Sequence, residues 1–383
     1  MSVTGPAGFV AAGVAAGLKS KGGLDVALVM NRGPSSAAAA VFTSNRSQAN
    51  PILWSEQVIA DGVVSAIVLN SGGANCFTGA QGFQTTHATA EAVASALGVS
   101  AGDVLVCSTG LIGEQLDRAK VVAGAAGAAA ALDVDGGSAA AEAILTTDTH
   151  RKTGEFRADG WSIGGMAKGA GMLAPALATM LVVLTTDAVL DSPELDAALR
   201  EAVRTTFNRL DSDGCTSTND QVTLMASGAS GIRPALSDFQ DALTAVCSDL
   251  AAQLMADAEG ASHEITIDVR GAASEDDAVE VGRSVARSNL FKAAVFGNDP
   301  NWGRVLAAIG TTQAVFDPYR VDVGMNGVRV CHAGEPDQPR ESVDLTPRSL
   351  LVEIDLFSGD AAATILTNDL THDYVHENSA YSS

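Results

Sequence analysis

The sequence predicts a mixed α/β fold on three observations. Short β-rich runs end in polar or glycine-rich turns, alanine-rich segments of helical character lie between them, and the composition is apolar enough to fill a core. Of 383 residues, 46% are hydrophobic and 18% charged, which excludes a disordered chain. The length fits one large domain or two ordinary ones.

In chain order, residues 26–30 (VALVM) and 65–70 (SAIVLN) read as buried strands that deliver loops, and residues 103–107 (DVLVC) repeat the pattern. Residues 85–97, 119–132 and 192–206 read as helices whose small side chains suit close packing on a sheet. Alanine favours helix through most of 121–141, leaving 133–138 as a loop. Residues 180–184 (MLVVL) form a further buried strand, and the polar tail from Leu370 reads, on composition, as a frayed terminus.

Charge and composition then remove several function classes. The 23 basic and 45 acidic residues give a formal charge of −22, which opposes a phosphate backbone and an anionic membrane surface, so neither nucleic acid nor membrane is an expected partner. The most apolar stretch, residues 172–184, contains Pro175 and Thr179 and falls short of the roughly 20 residues of a membrane span. The first residues lack a basic segment followed by an apolar one, so no secretory signal is expected and the cytoplasm is the expected compartment. Cys76, Cys107, Cys215, Cys247 and Cys331 are odd in number with no CxxC pair, the pattern of reduced thiols. His372 and His376 stand at i, i+4, but two histidines alone do not make a metal site, and no metal is expected.

Two cofactor motifs are suggested by residues 164–175 and both fail. Lys168 is followed by Gly169 where a P-loop needs Ser or Thr, and Gly169-Ala170-Gly171-Met172-Leu173-Ala174 fits GxGxxA but runs straight into Pro175, which obstructs the helix that should hold a pyrophosphate. No cofactor is expected.

Thr179 sits in the same region, after Ala178 and before the apolar run at 180–184. Taken alone it reads as a core threonine. The whole string Lys168-Gly169-Ala170-Gly171-Met172-Leu173-Ala174-Pro175-Ala176-Leu177-Ala178-Thr179-Met180-Leu181 resembles the K-G-x-G-M-x-x-P-x-x-A-T-M-L signature of the ornithine acetyltransferase (ArgJ) family. Further matching segments run in order through nearly the whole chain: 42–45 (FTSN), 70–79 (NSGGANCFTG), 108–113 (STGLIG), 146–149 (TTDT), 212–220 (SDGCTSTND), 259–261 (EGA) and 297–304 (GNDPNWGR).

The resemblance implies a layered α/β sandwich of the N-terminal-nucleophile-like type, self-cleaved between Ala178 and Thr179. Residues 1–178 become an α chain and 179–383 a β chain, intertwined in one globular unit, with two of each in a heterotetramer. It implies that Thr179 carries acetyl from N-acetylornithine to glutamate in the cyclic arginine pathway, with an oxyanion hole at Thr109 and Gly110. By the same resemblance Lys168, Glu259, Asn378, the terminal Ser383 and one of Thr146 or Thr147 hold substrate. Ser262-His263 departs from the Thr-Lys of many relatives. Members differ on whether acetyl-CoA is also a donor, and no motif decides it. The rivals are a self-processed amidohydrolase or aminopeptidase with water as acceptor, a paralogue acting on other ornithine-like compounds in secondary metabolism, and a non-catalytic protein binding basic amino acids.

Overall fold

The computed structural model describes residues 2–172 and 180–380. Two sheets are stacked face to face. The first orders its strands Phe9–Val14, Val26–Asn31, Ala66–Ser71 and Val104–Thr109, antiparallel except for the last pair, which is parallel. The second runs Ala37–Phe42, Gln221–Ala226, Leu181–Thr186, Ser162–Lys168 and Lys152–Arg157, with its second and third strands parallel.

The period of two along each strand explains the layers. Ala27, Val29, Ile67, Leu69, Leu105 and Cys107 point inward and meet Leu181, Val183, Met166 and Met225 of the other sheet. Their neighbours Val26, Leu28, Ala66, Val68, Val104 and Val106 point outward, beneath helices Gly79–Leu97 and Arg118–Ala130. Val182, Leu184, Val222 and Leu224 do the same on the far side, under helices Ser192–Thr205 and Leu236–Ala256. The result is a helix–sheet–sheet–helix sandwich, the layered α/β architecture expected. Strands buried on both faces need the unbroken apolar runs that the sequence shows at 26–30 and 180–184.

A third sheet, six-stranded in the order Glu335–Pro336, Val328–His332, Asp322–Met325, Ser349–Asp355, Glu264–Ala272 and Ala361–Asn368, packs one face on helices Glu275–Ala286 and Trp302–Ile309. The Asp211 amide donates to the Leu366 carbonyl, which ties this sheet to the sandwich.

Two readings need correction. The stretch 133–138 is a loop only at first, because helix Gly137–Ala143 begins inside it and packs on the first strand, with Ala140, Ala141 and Ala143 fully buried. The tail is not frayed from Leu370, as composition alone suggested and the family resemblance already contradicted: His372–Ala380 is a helix. Gly260 explains its docking, since a Cβ there would lie 2.2 Å from the Tyr374 amide nitrogen, and the Thr371 hydroxyl donates to the Gly260 carbonyl at 2.6 Å.

Candidate functional site

Strand Val104–Thr109 ends where the first sheet meets a pair of loops. The Thr109 carbonyl accepts from the amides of Gly72 and Gly73 at 3.0 and 2.9 Å, the Ala74 amide donates to Leu111 and the Gly113 amide to Cys76, so residues 72–76 and 109–113 are zipped together by backbone. Gly110 takes φ +127°, and a Cβ on it would lie 2.5 Å from the Gly73 nitrogen. Only glycine fits there. No acceptor for the Gly110 amide stands among the described residues, and Gly110 lines the cavity described below. Asn219 locks the pair from beneath, donating to the carbonyls of Ala74 and Ser108 at 2.6 and 2.9 Å.

The opposite wall is built from buried charge. Lys168, at the end of its strand and 1% exposed, donates to the Thr109 hydroxyl at 3.3 Å and lies 4.0 Å from the Asp148 carboxylate. Asp148 also receives Lys152 and the Gly169 amide, each at 2.6 Å, and the Thr146 amide at 3.1 Å. Lys152, fully buried, bridges on to Asp257 at 2.6 Å, and Asp257 in turn accepts from the amide and hydroxyl of Thr149. Burial pushes the Asp148 carboxyl up, but Lys168, Lys152 and the hydrogen bonds outweigh it and bring the pKa down to about 2. Burial lowers the Lys168 ammonium from its ordinary value, with Asp148 opposing. This cluster joins the 146–152 segment to the loop that carries Glu259.

Glu259 is held from three sides. Its amide donates to the Ala170 carbonyl at 3.0 Å, its carboxylate accepts from Asn378 of the C-terminal helix at 3.1 Å, and Gly171 leaves the room it occupies, since a Cβ there would lie 2.4 Å from a Glu259 oxygen.

Two aspartates of one segment grip the chain on either side of Leu173 to Thr179. The Met172 amide donates to Asp213 at 2.7 Å, with Met172 at φ +54°, and the Met180 amide donates to Asp220 at 3.0 Å. Asp220 is fully buried, its second oxygen lacks a partner among the described residues, and desolvation raises its pKa well above the carboxylate range. The hydrogen bonds from Met180 and Ser217 and the nearby Lys168 oppose that rise.

These parts enclose a cavity of about 120 Å³, lined by Thr109, Gly110, Thr146, Thr147, Lys168, Glu259 and Asn378, which shares its last wall with a wider cleft of about 740 Å³. All seven expected site residues within the described chain therefore meet at one place. Ala178, Thr179 and Ser383 lie outside the described residues. Of the two threonines, Thr146 turns its hydroxyl toward Asp148 at 3.5 Å, while the Thr147 hydroxyl has no protein partner among the described residues. Ser217, Thr218, Ala74, Ile112 and Met172 are also in the lining and were given no role by sequence reasoning, nor were Asp213 and Asp220. The signal available was the density of Ser, Thr, Asp and Asn at 212–220. His372 packs its ring edge-on against Phe296, 5.4 Å between centroids, and among the described residues no group of three or more His, Cys, Asp or Glu gathers as metal ligands. Nor does any described helix have the length and apolarity to cross a membrane.

Comparison with known proteins adds an independent finding. A family model described as the ArgJ family matches residues 10–383. The arginine biosynthesis bifunctional protein ArgJ of Streptomyces avermitilis is 61% identical over 383 residues, and that of Streptomyces coelicolor 60%, each covering 100% of both chains. Among solved structures, an ornithine acetyltransferase complexed with ornithine from Mycobacterium tuberculosis is 54% identical, covers 45% of this chain and 94% of its own, and superposes with a TM-score of 0.45. An ArgJ protein from Bacillus halodurans is 34% identical over 52% of this chain and 98% of its own, with a TM-score of 0.49.

Proposed function

The chain belongs to the ArgJ family, and from that premise we propose that it transfers acetyl from N-acetylornithine to glutamate through an ester on Thr179. Membership makes it an acyltransferase of arginine biosynthesis; the donor, the acceptor and the nucleophile are the proposal.

The reading begins with self-cleavage. The Thr179 hydroxyl oxygen bonds to the Ala178 carbonyl carbon, the C–N bond breaks, and the hydroxyl proton ends on the Thr179 nitrogen. Water then opens the ester, releasing the Ala178 carboxylate and a free Thr179 hydroxyl beside a new α-amine. With an ordinary pKa of about 7.7 to 8.0, that amine is substantially neutral near pH 8 and takes the Oγ proton when the hydroxyl attacks the acetyl carbonyl. It returns the proton to the departing ornithine nitrogen. Glutamate's amine then attacks the acetyl ester and the steps reverse, giving N-acetylglutamate. Cleavage does not require the two chains to separate, because residues 163–168 and 181–186 are paired residue for residue from opposite sides of the junction.

The observation that carries the reading is the convergence of Gly110, Thr109, Lys168, Glu259 and Asn378 on one cavity that Met172 also lines. In this assignment the Gly110 amide and Thr109 hydroxyl receive the tetrahedral oxygen. Lys168 meets the substrate α-carboxylate, Glu259 the ornithine ammonium, and Thr147, with its uncommitted hydroxyl, is the threonine that holds substrate. The Ser383 carboxylate and a heterotetramer of two α and two β chains belong to the same proposal, as does a cytoplasmic location.

The test is transfer of labelled acetyl from N-acetylornithine. Ornithine and labelled N-acetylglutamate in equal amounts, with an acetylated Thr179 peptide trapped when glutamate is omitted, are expected. Free acetate with no N-acetylglutamate would instead make the protein a hydrolase. Replacing N-acetylornithine by acetyl-CoA in the same assay decides whether a second donor is used.

A further inference from the structure

The inner cavity has two chemical characters. Lys168, Glu259 and Asn378 give it polar and charged groups suited to the amino-acid part of a substrate, whereas Ala74, Ile112 and Met172 are its apolar side chains among the described residues. Ala74 and Ile112 stand on the two zipped loops that also present the Gly110 amide. Because the acyl carbon bears both its oxygen and its methyl, only two bonds from one another, an oxygen at the Gly110 amide keeps the methyl within reach of these same loops.

We infer that Ala74 and Ile112 form the acyl pocket and restrict the enzyme to a two-carbon acyl group. The inference rests on the acetyl-Thr179 reading above. Ala74 is 3% exposed and cannot withdraw, since its own amide is fixed to the Leu111 carbonyl at 2.9 Å and its carbonyl to Asn219 at 2.6 Å. Ile112, 40% exposed, lines the same cavity, and in this assignment its side chain sets how far the pocket extends. An added methylene pressed against such walls is worth roughly 10- to 200-fold in kcat/KM.

The experiment compares N-acetyl-, N-propionyl- and N-butyrylornithine as donors to glutamate with wild type, Ile112→Ala and Ile112→Phe. Neither substitution disturbs the core, because Ile112 lies on an exposed loop. Wild type is expected to favour acetyl over propionyl by about 10-fold or more. Ile112→Ala should shrink that ratio by about 10-fold, chiefly by gaining on the longer donors, and Ile112→Phe should widen it. Ratios unchanged in both variants, with all donors rising or falling together, would overturn the pocket while leaving the acetyl-transfer reading intact. Wild type that fails to transfer acetyl at all would overturn both.

Discussion

The two walls of the cavity are made by different means and should fail differently. The wall of residues 72–76 and 109–113 is held in shape by backbone, the position of each amide being set by loop-to-loop hydrogen bonds rather than by charged side chains. The facing wall is an ion cluster, Lys168–Asp148–Lys152–Asp257, whose charges are almost wholly out of water. A backbone wall gives fixed dipoles at no cost in desolvation, whereas an ion cluster offsets its desolvation only while every partner is present. The first is broken by adding an atom, the second by removing a charge.

The largest effect is therefore expected at Lys152. Lys152→Met strands Asp148 and Asp257, and should lower unfolding free energy by about 3–5 kcal/mol, measured by denaturant titration. Arg204→Ala, which removes surface pairs to Glu201 and Glu275 at half-exposed positions, should change it by less than about 1 kcal/mol. Equal losses in the two variants would erase the distinction between cluster and surface.

On the other wall, Gly110→Ala forces a side chain into the left-handed region and against the Gly73 amide. Acetyl transfer should fall by about 10²–10³, the cost of losing one oxyanion donor, with KM for N-acetylornithine little changed. A fall confined to KM would take Gly110 out of the transition state.

The ion cluster also has a pH signature that the backbone wall lacks. Asp148 has its pKa depressed in the folded state to about 2 from 3.8, so its stabilisation is fully present above pH 4 and is lost as the pH falls toward 2. That loss amounts to about 2 kcal/mol, and it should be missing from the acid limb of Asp148→Asn. Asp220 should behave oppositely, because burial raises its pKa. Asp220→Ala, which leaves the Met180 amide without its acceptor, should cost about 1–3 kcal/mol and slow cleavage. Asp220→Asn, with the acceptor kept, should restore both; an Asn variant as impaired as Ala would mean that the carboxyl works ionised.

How much of this was legible in the sequence follows from the range of the interactions. The strands at 26–30, 65–70 and 103–107 could be read because burial on both faces demands unbroken apolar runs, whereas the proposed site residues came from the resemblance to the ArgJ family, with Asn378 and Ser383 outside every matching segment. The third sheet was harder: Ile265, Ile267 and Val269 alternate with Thr266, Asp268 and Arg270, the weaker pattern of a strand with one face near solvent. The C-terminal helix was lost to its polar composition, since what holds it is Gly260 and Glu259 more than a hundred residues earlier. Lys152 and Asp257, 105 residues apart, carry no local signal of pairing, and Asp220 looked like one polar residue among the seven of 212–220. Long-range charge pairing is set by the fold and leaves no periodicity to read.

The central claim, that Thr179 becomes a chain terminus and uses its own amine as the base, is tested most directly by the denatured intact mass of wild type and Thr179→Ala. The account predicts two wild-type fragments, residues 1–178 and 179–383, the second beginning with Thr179, and one uncut mutant chain. A single uncut wild-type chain that still transfers acetyl from N-acetylornithine to glutamate would contradict it.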